Sequence, residues 1–451
     1  MKTEDLMDCI GQTDDKLILE ADVNSITTHP ATRSWIKSAA AAAAVCLLAA
    51  IPFVKGRLSP PPDYSDLPKL SVNADSITLG GGMGFEGHMA YDISELANGN
   101  PWTEKSSLKT LPVFRNTRRW DENGFPVNGL SPEEMLAETE KIAKLLGLEV
   151  LSRYTLPQAE PEPTTVQIAP VPSEPMPEPR EKYDPNTRIY QANADCKGAA
   201  IAVHDSGHIV LTLTPETVGL AKDLGKLKAY SSFSVNFDFG TELADHTDYE
   251  KGMPLPNGFR FAFENTSREQ AAEITAYLFA QYGSFADIKK PGYDLFADYN
   301  IYGALIRLNT TVFENAGSLT ERILNYHFNG LSFSASDLGG LSAIRYGKTD
   351  LSQKIGDYPI ITAAKARKLL LENHYITTVT EKFPGEEYIA NAELMYRVHG
   401  REAIFMPYYK FLVELPSMAR GNGMKDFGVY YVPAVQSAFL ENLPVWDGSF
   451  N

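Results

Sequence analysis

Cysteine is nearly absent from this chain. Three occur in 451 residues: Cys9, Cys46 and Cys196. The first two fall within the opening fifty residues, so no intrachain disulfide is available to staple the rest of the chain, and no Cys-x2-Cys pair exists for metal or redox chemistry. Stability must come from a packed core, for which a 43% hydrophobic fraction is ample. Basic residues are also outnumbered, 41 Lys and Arg against 57 Asp and Glu, for a net charge of −16. That balance excludes nucleic acid as a partner and disfavours anionic lipid or an anionic wall polymer unless a cation bridges. No G-x-S-x-G elbow, H-E-x-x-H or supported S-x-x-K motif occurs, so the chain offers no ready-made nucleophile or zinc site and no cofactor is expected. No repeat of 20–50 residues is evident.

Charge is missing from one stretch in particular. Between Ser38 and Val54 there is none, and residues 35–54 (WIKSAAAAAAVCLLAAIPFV) read as a single transmembrane helix. About 17 residues at 1.5 Å rise cover roughly 26 Å of a hydrocarbon core of about 30 Å. Trp35 completes the span if Lys37 extends its ammonium back to the headgroups, and Trp35 and Phe53 sit where interfacial aromatics belong. A cleaved signal peptide is the competing reading, but residues 1–34 are long for its n-region. A buried alanine-rich helix is opposed by the proline-rich exit at Pro60, Pro61 and Pro62. Arg33 and Lys37 balance Lys55 and Arg57, so charge does not set the orientation. The short acidic head places the N-terminus in the cytoplasm and the bulk of the chain outside the cell.

The fold expectation is α+β: a cytoplasmic head at 1–34, the transmembrane helix at 35–54, a proline-rich stalk at 55–69, then a multi-module ectodomain of antiparallel sheets packed with helices. A first region spans 70–256 with a disordered proline-rich insert at 157–185. A second spans 257–451 and ends in a helix plus three-stranded meander at 360–436. Ser131-Pro132-Glu133-Glu134 opens a helix ended by Gly147; Ser267 caps one that stops at Gly283; Ser318 and Thr362 cap two more. Leu111–Arg115, 258–264, 299–311, 331–334, 341–346, 392–399, 404–415 and 427–435 read as strands, and Asp205-Ser206-Gly207 as a hairpin turn. Gly82, Gly84 and Gly87 spell G-x-G-x-x-G, but no helical stripe comes after them, so a flexible glycine loop is preferred to a dinucleotide site.

The head sequence, with Asp14, Asp15, Leu17, Ile18, Glu20 and Ala21 ahead of a basic spacer and one alanine-rich span, resembles single-span membrane-anchored proteins of Firmicutes, some related to anti-sigma regulators. It lacks their His-x3-Cys-x2-Cys zinc motif. The order of the last hundred residues, with an I-T-x-x-x-A helix start at Ile361 and the strands YYKFLVEL (408–415) and YYVPAV (430–435), resembles PepSY-like extracytoplasmic domains. LPVFRN (111–116) and the terminal PVWDGSFN (444–451) are similar to uncharacterised proteins of the same membrane-anchored kind. The PepSY resemblance implies inhibitory or regulatory binding and lends no catalytic residue.

Candidate sites are sparse. Tyr408, Tyr409, Tyr430, Tyr431 and Trp446 are candidates for an aromatic groove that takes a peptide or glycan; the alternative is core. His204 and His208 flank the hairpin turn beside Asp205 and Cys196, the best metal-like grouping, although no third spaced ligand favours a metal over two turn histidines. Asp294 and Asp298 lie four apart in an expected loop without EF-hand spacing. Asp238, Glu314, His327 and Asp447 are lone titratable residues. The functional expectation is a membrane-anchored extracytoplasmic binding or regulatory protein, with an extracellular protein, peptide or glycan ligand and a cytoplasmic or membrane protein partner for the head. The alternative is a surface-tethered hydrolase of cell-wall or peptide material, with Asp or Glu as its acid and base.

Overall fold

Three helices open on the same device. In the computed structural model Ser131, Ser267 and Ser318 each accept a hydrogen bond from the backbone N–H three residues on, and the side chain of that third residue (Glu134, Gln270, Glu321) returns to the serine N–H. Each capping box satisfies two amides that an open helix end leaves bare. The three helices are α1 (Pro132–Leu146), α2 (Arg268–Tyr282) and α3 (Leu319–Phe328); Thr362 caps α4 (Ala363–Leu371). Gly147 ends α1 at φ 73°, a left-handed position that suits glycine.

The structure describes residues 64–73, 87–121, 125–157, 188–244, 247–256, 259, 267–299, 305–377, 379, 381–398, 402–419, 421–446 and 448. The expected head and transmembrane helix, residues 55–63 of the stalk, the proline-rich insert from 158 on, and all but one residue of the strand expected at 258–264 lie outside them. Among the described residues no helix is long and apolar enough to cross a membrane.

The strands are β1 (His88–Ala90), β2 (Thr110–Arg115), β3 (Val150–Pro157), β4 (Ile189–Cys196), β5 (Ala199–His204), β6 (Ile209–Leu213), β7 (Ser232–Phe237), β8 (Thr241–Ala244) and β9 (Thr247–Glu250). After α2 come β10 (Pro291–Tyr299), β11 (Leu305–Glu314), β12 (Asn329–Ala335), β13 (Leu341–Lys348) and β14 (Lys354–Pro359). After α4 come β15 (Ile376–Thr377), β16 (Ile389–Tyr396), β17 (Ile404–Phe405), β18 (Pro407–Glu414) and β19 (Lys425–Pro433). Nine of them form one sheet in the order β10-β11-β12-β13-β7-β6-β5-β4-β3. All its pairings are antiparallel except β6 with β7. The strands β5 and β6 alternate buried and half-buried residues, so one face carries the core. That face is covered by α1 and α2, with Met135, Ile142, Ile274 and Leu278 against Ile201, Leu211, Val235 and Phe333.

The expected division at 256/257 falls inside this sheet, because β7 pairs with β13. Residues 67–451 are a single compact unit. Its start is not stalk: Leu70 is buried, bridges Leu440, and Val72 is bonded through its N–H to Asn442. Gly87 is followed by a strand and a short 3-10 turn (Ile93–Leu96), not by the helix that a dinucleotide site requires.

A second sheet, β1-β19-β18-β16, carries β15 beside β19. Ala366, Leu369 and Leu370 of α4 pack with Tyr409, Phe411 and Val413 on one of its faces. The strand expected across 404–415 is broken at Met406: β17 joins β2 in a small sheet with β14, while β18 joins β16 and β19. The helix α3 ties the two sheets. Next to Val312 in β11, which belongs to the core under α2, Phe313 meets the ring of Tyr326 at 5.1 Å between centroids. Ile323 and Phe328 of the same helix join the core beneath the second sheet.

Candidate functional site

The second sheet's other face is where polar groups collect. Along β18, Tyr409, Phe411 and Val413 point to α4, so Tyr408, Lys410 and Leu412 point away. Lys410 stands directly opposite Glu393 of β16 in the strand register, and its ammonium lies 3.8 Å from Glu393 Oε2, both side chains largely buried. The carboxylate is further held by Asn98 Nδ2 (2.8 Å) and Asn391 Nδ2 (3.1 Å), both on Oε1.

A second carboxylate reaches the same place from the other sheet. Asp294 lies in the middle of β10, paired with Thr311 of β11, not in the loop expected for it. The Gly99 N–H donates to its Oδ1 (3.0 Å) and the Tyr326 hydroxyl to its Oδ2 (3.0 Å). The loop that carries Asn98 and Gly99 is shaped by its own amides. Asn98 Oδ1 accepts from the Asn100 N–H, Asn100 Oδ1 accepts from the Trp102 N–H, and Asn100 Nδ2 donates to the Leu394 carbonyl. Gly99 is required there: a Cβ would stand 2.4 Å from the Tyr293 carbonyl oxygen.

Together these groups line a cavity of about 210 Å³, with His88, Asn98, Asp294, Tyr326, His327, Glu393 and Lys410 as its polar wall. Leu96, Met395 and Leu412 are its apolar wall. Six separate segments meet: β1, the 96–100 loop, β10, α3, β16 and β18. His327 is the notable member. Its Nε2 is sealed from solvent and has no hydrogen-bond partner. The hydrogen bond it makes to the Leu394 backbone therefore belongs to Nδ1, which leaves Nε2 as a bare acceptor. Burial holds this imidazole down at about 3, helped by Lys410 and opposed by the Leu394 bond. Burial, then Lys410, holds His88 at about 3 as well. Burial first, then Asp294 and Glu393, pushes the Tyr326 phenol well up, so it remains a donor. The two imidazoles are thus neutral at neutral pH, and beside them stand the Asp294 and Glu393 carboxylates and the Lys410 ammonium.

The aromatic groove expected from Tyr408, Tyr409, Tyr430, Tyr431 and Trp446 is not formed. Adjacent residues on a strand point to opposite faces. Tyr409 and Tyr430 are buried under α4, their hydroxyls donating to the Ile361 and Glu381 carbonyls. Tyr408, buried on the reverse face, lies under the guanidinium of Arg397 at 5.2 Å, with half-buried Tyr431 beside it. Trp446 stacks on Tyr375.

His204 and His208 do come together, with ring centroids 5.9 Å apart. Both nitrogens of His208 are occupied by hydroxyls, Nδ1 by Ser232 (2.7 Å) and Nε2 by Ser234 (3.1 Å). Burial first, then His204, Arg118 and Arg345, depresses His208 to about 4. Asp205 is paired with Arg188 at 2.8 Å. Cys196 faces Ala199 at the opposite end of β5 from His204, roughly 17 Å away along the strand. Among the described residues no three His, Cys, Asp or Glu side chains are set to hold a metal. Glu314 accepts from the Lys290 and Ala316 amides and Asp238 from the Gly240 amide, both structural roles in turns. Asp447 and the side chain of Asp298 lie outside the described residues.

The sequence singled out His327 and Asp294 separately and missed Glu393, Lys410, Tyr326 and the Asn98-Gly99-Asn100 loop. The loop had a signal, since an Asn-Gly-Asn tripeptide before a proline is turn chemistry. The others have none that is local. No family model, no curated protein and no solved structure matches this chain.

Proposed function

We propose that this is a ligand-binding protein of the cell surface, anchored in the cell membrane by residues 35–54, whose body from Leu67 onward takes a small polar molecule in the cavity between its two sheets. The observation that carries the reading is a polar cavity on which Asp294, Glu393 and Lys410 converge, with Glu393 Oε2 lacking a hydrogen-bond donor within reach. An unfilled buried acceptor costs roughly 1–3 kcal/mol, and a bound donor relieves that cost. Cavities with a few convergent polar groups between packed layers are where small ligands bind. A helix on an antiparallel meander at the C-terminal end supports the PepSY-like, regulatory side of the reading.

A hydrolase is the second reading, because Asp294 and Glu393 share the cavity. Both carboxylates, however, accept hydrogen bonds from fixed donors, the Gly99 N–H, the Tyr326 hydroxyl and two asparagine amides, which suits acceptors rather than the proton-donating acid that glycoside hydrolysis needs.

Thermal denaturation of the full-length protein in detergent, across a panel of small polar compounds, tests the reading. A binder present at a hundred times its Kd adds about 2.7 kcal/mol and raises the midpoint by about 2 °C or more. The rise is expected to fall by about half in Glu393→Gln, as a roughly tenfold loss of affinity gives at that concentration. A panel without any stabiliser, or a stabiliser that acts equally on the variant, sinks the cavity as a binding site. Protease added to intact cells is expected to digest the body of the chain; survival of that body overturns the membrane arrangement.

A further inference from the structure

We infer that the ligand of this cavity is a small organic cation, an amine with a compact apolar body, presenting its ammonium to Asp294 and Glu393. The inference rests on the cavity being a binding site and adds the chemistry of what fills it.

The carboxylates carry the first part of the argument. Each oxygen of Asp294 receives one protein donor, and a carboxylate oxygen accepts two. Glu393 Oε1 receives two donors, but Oε2 has only Lys410, at 3.8 Å, beyond hydrogen-bond reach. The unfilled acceptor capacity open to a ligand lies on the two carboxylates, from β10 and β16, beside the Lys410 ammonium, which is ion-paired to Glu393 at 3.8 Å. A ligand that fills it must donate, and it needs several donors on one compact centre. A primary ammonium has three.

Charge agrees with the inventory. With both imidazoles neutral, two carboxylates face one ammonium, and the wall keeps one negative charge. Lys410 is ion-paired with its cross-strand partner Glu393 at 3.8 Å. An anionic ligand would meet two carboxylates in a partly desolvated space, where like charges repel far more than in water. Size limits the rest. About 210 Å³ is smaller than the roughly 300–1,000 Å³ of sites for drug-sized molecules, so a dinucleotide or a polymer strand is too large. Leu96, Met395 and Leu412 supply an apolar surface for a few carbons.

The test uses three probes of one shape: cyclohexylamine, cyclohexanol and cyclohexanecarboxylate, titrated into the full-length protein by calorimetry at pH 7. Binding at the cavity is read from the imidazole resonances of His327, assigned by difference with His327→Gln. The amine is expected to bind at least about tenfold more tightly than the alcohol, a difference of 1.4 kcal/mol, and the carboxylate not at all. Asp294→Asn and Glu393→Gln are each expected to weaken the amine about tenfold, and Lys410→Gln, which removes a like charge, to tighten it severalfold. That opposite response separates recognition of charge from simple damage to the fold. If the alcohol or the carboxylate perturbs His327 and binds as well as the amine, the cation is the wrong class and the cavity stands. If no probe perturbs His327, both readings fall.

Discussion

Gly99 is the residue on which the cavity's geometry turns. Its missing side chain lets the 98–100 loop lie against the Tyr293 carbonyl, and that closeness delivers the Gly99 N–H to Asp294. Gly99→Ala forces the loop off β10, an overpacking of the kind that costs about 1–3 kcal/mol. Urea denaturation is expected to show that loss, together with weaker ligand binding; a variant of wild-type stability would mean that the loop adjusts freely. His327 makes a different statement, about pH. An imidazole depressed to about 3 in the folded protein takes up its proton first in the unfolded chain, near pH 6.5. Its contribution to stability is thus whole above pH 6.5 and drains away as the pH falls toward 3. In that window one such group gives a slope of about 1.4 kcal/mol per pH unit. His327→Gln is expected to flatten the stability curve between pH 6 and 4 by about that slope, measured as urea midpoints in the wild type and variant. Equal slopes would show that the imidazole is free to charge in the native state. His88, His204 and His208, also depressed, add to the steepness and are unchanged in this comparison.

At the scale of the element, the parts that could be read were those whose cause is local. A serine, a Glu or Gln three residues on and a run of apolar spacing define α1, α2 and α3 with no knowledge of their neighbours. Where neighbours decide, the reading fails. Asp294 comes after Lys289, Lys290, Pro291 and Gly292, a composition that says turn, yet cross-strand pairing with β11 extends it into a nine-residue strand. The largely apolar run at 404–415 gives no sign that Met406 hands the chain from one sheet to another. The cavity is the extreme case, since its wall is drawn from positions between His88 and Leu412 and no spacing along the chain encodes that meeting. The caps also permit a test. Ser318→Ala removes the N-cap of the helix that carries Tyr326 and His327, at a cost of about 1 kcal/mol. The amides of Glu321 and Arg322 are expected to exchange about fivefold faster with solvent, with ligand binding weakened alongside. Ser131→Ala, on the helix that lies over the far end of the sheet, is expected to cost a similar amount and leave binding untouched. Equal effects of both variants on binding would remove α3 from the site.

For the whole molecule, the decisive feature is that strands from both sides of residue 256 share one sheet. The parallel joint of β6 with β7 and the antiparallel joint of β7 with β13 lie at its centre, where Leu211, Val235, Phe237 and Ile344 are fully buried. Neither half of the chain completes that core without the other. The second sheet is bound in turn through α3, and Phe114 of the small β14-β2-β17 sheet packs edge-on to Phe328 at its end. Layers coupled in this way should lose their structure together. The prediction needs probes that report on different layers. Trp102 and Trp446 both sit in the core beneath the second sheet, whereas far-ultraviolet circular dichroism weighs the nine-stranded sheet most heavily. With Trp35 and Trp120 replaced by Phe, fluorescence and dichroism are expected to give one urea midpoint and one slope, as a single cooperative unit does. If fluorescence instead moves first, the second sheet detaches as a body of its own. The cavity, lined from both sheets, would then open with it, and its ligand would stabilise the contact between the layers rather than either layer alone.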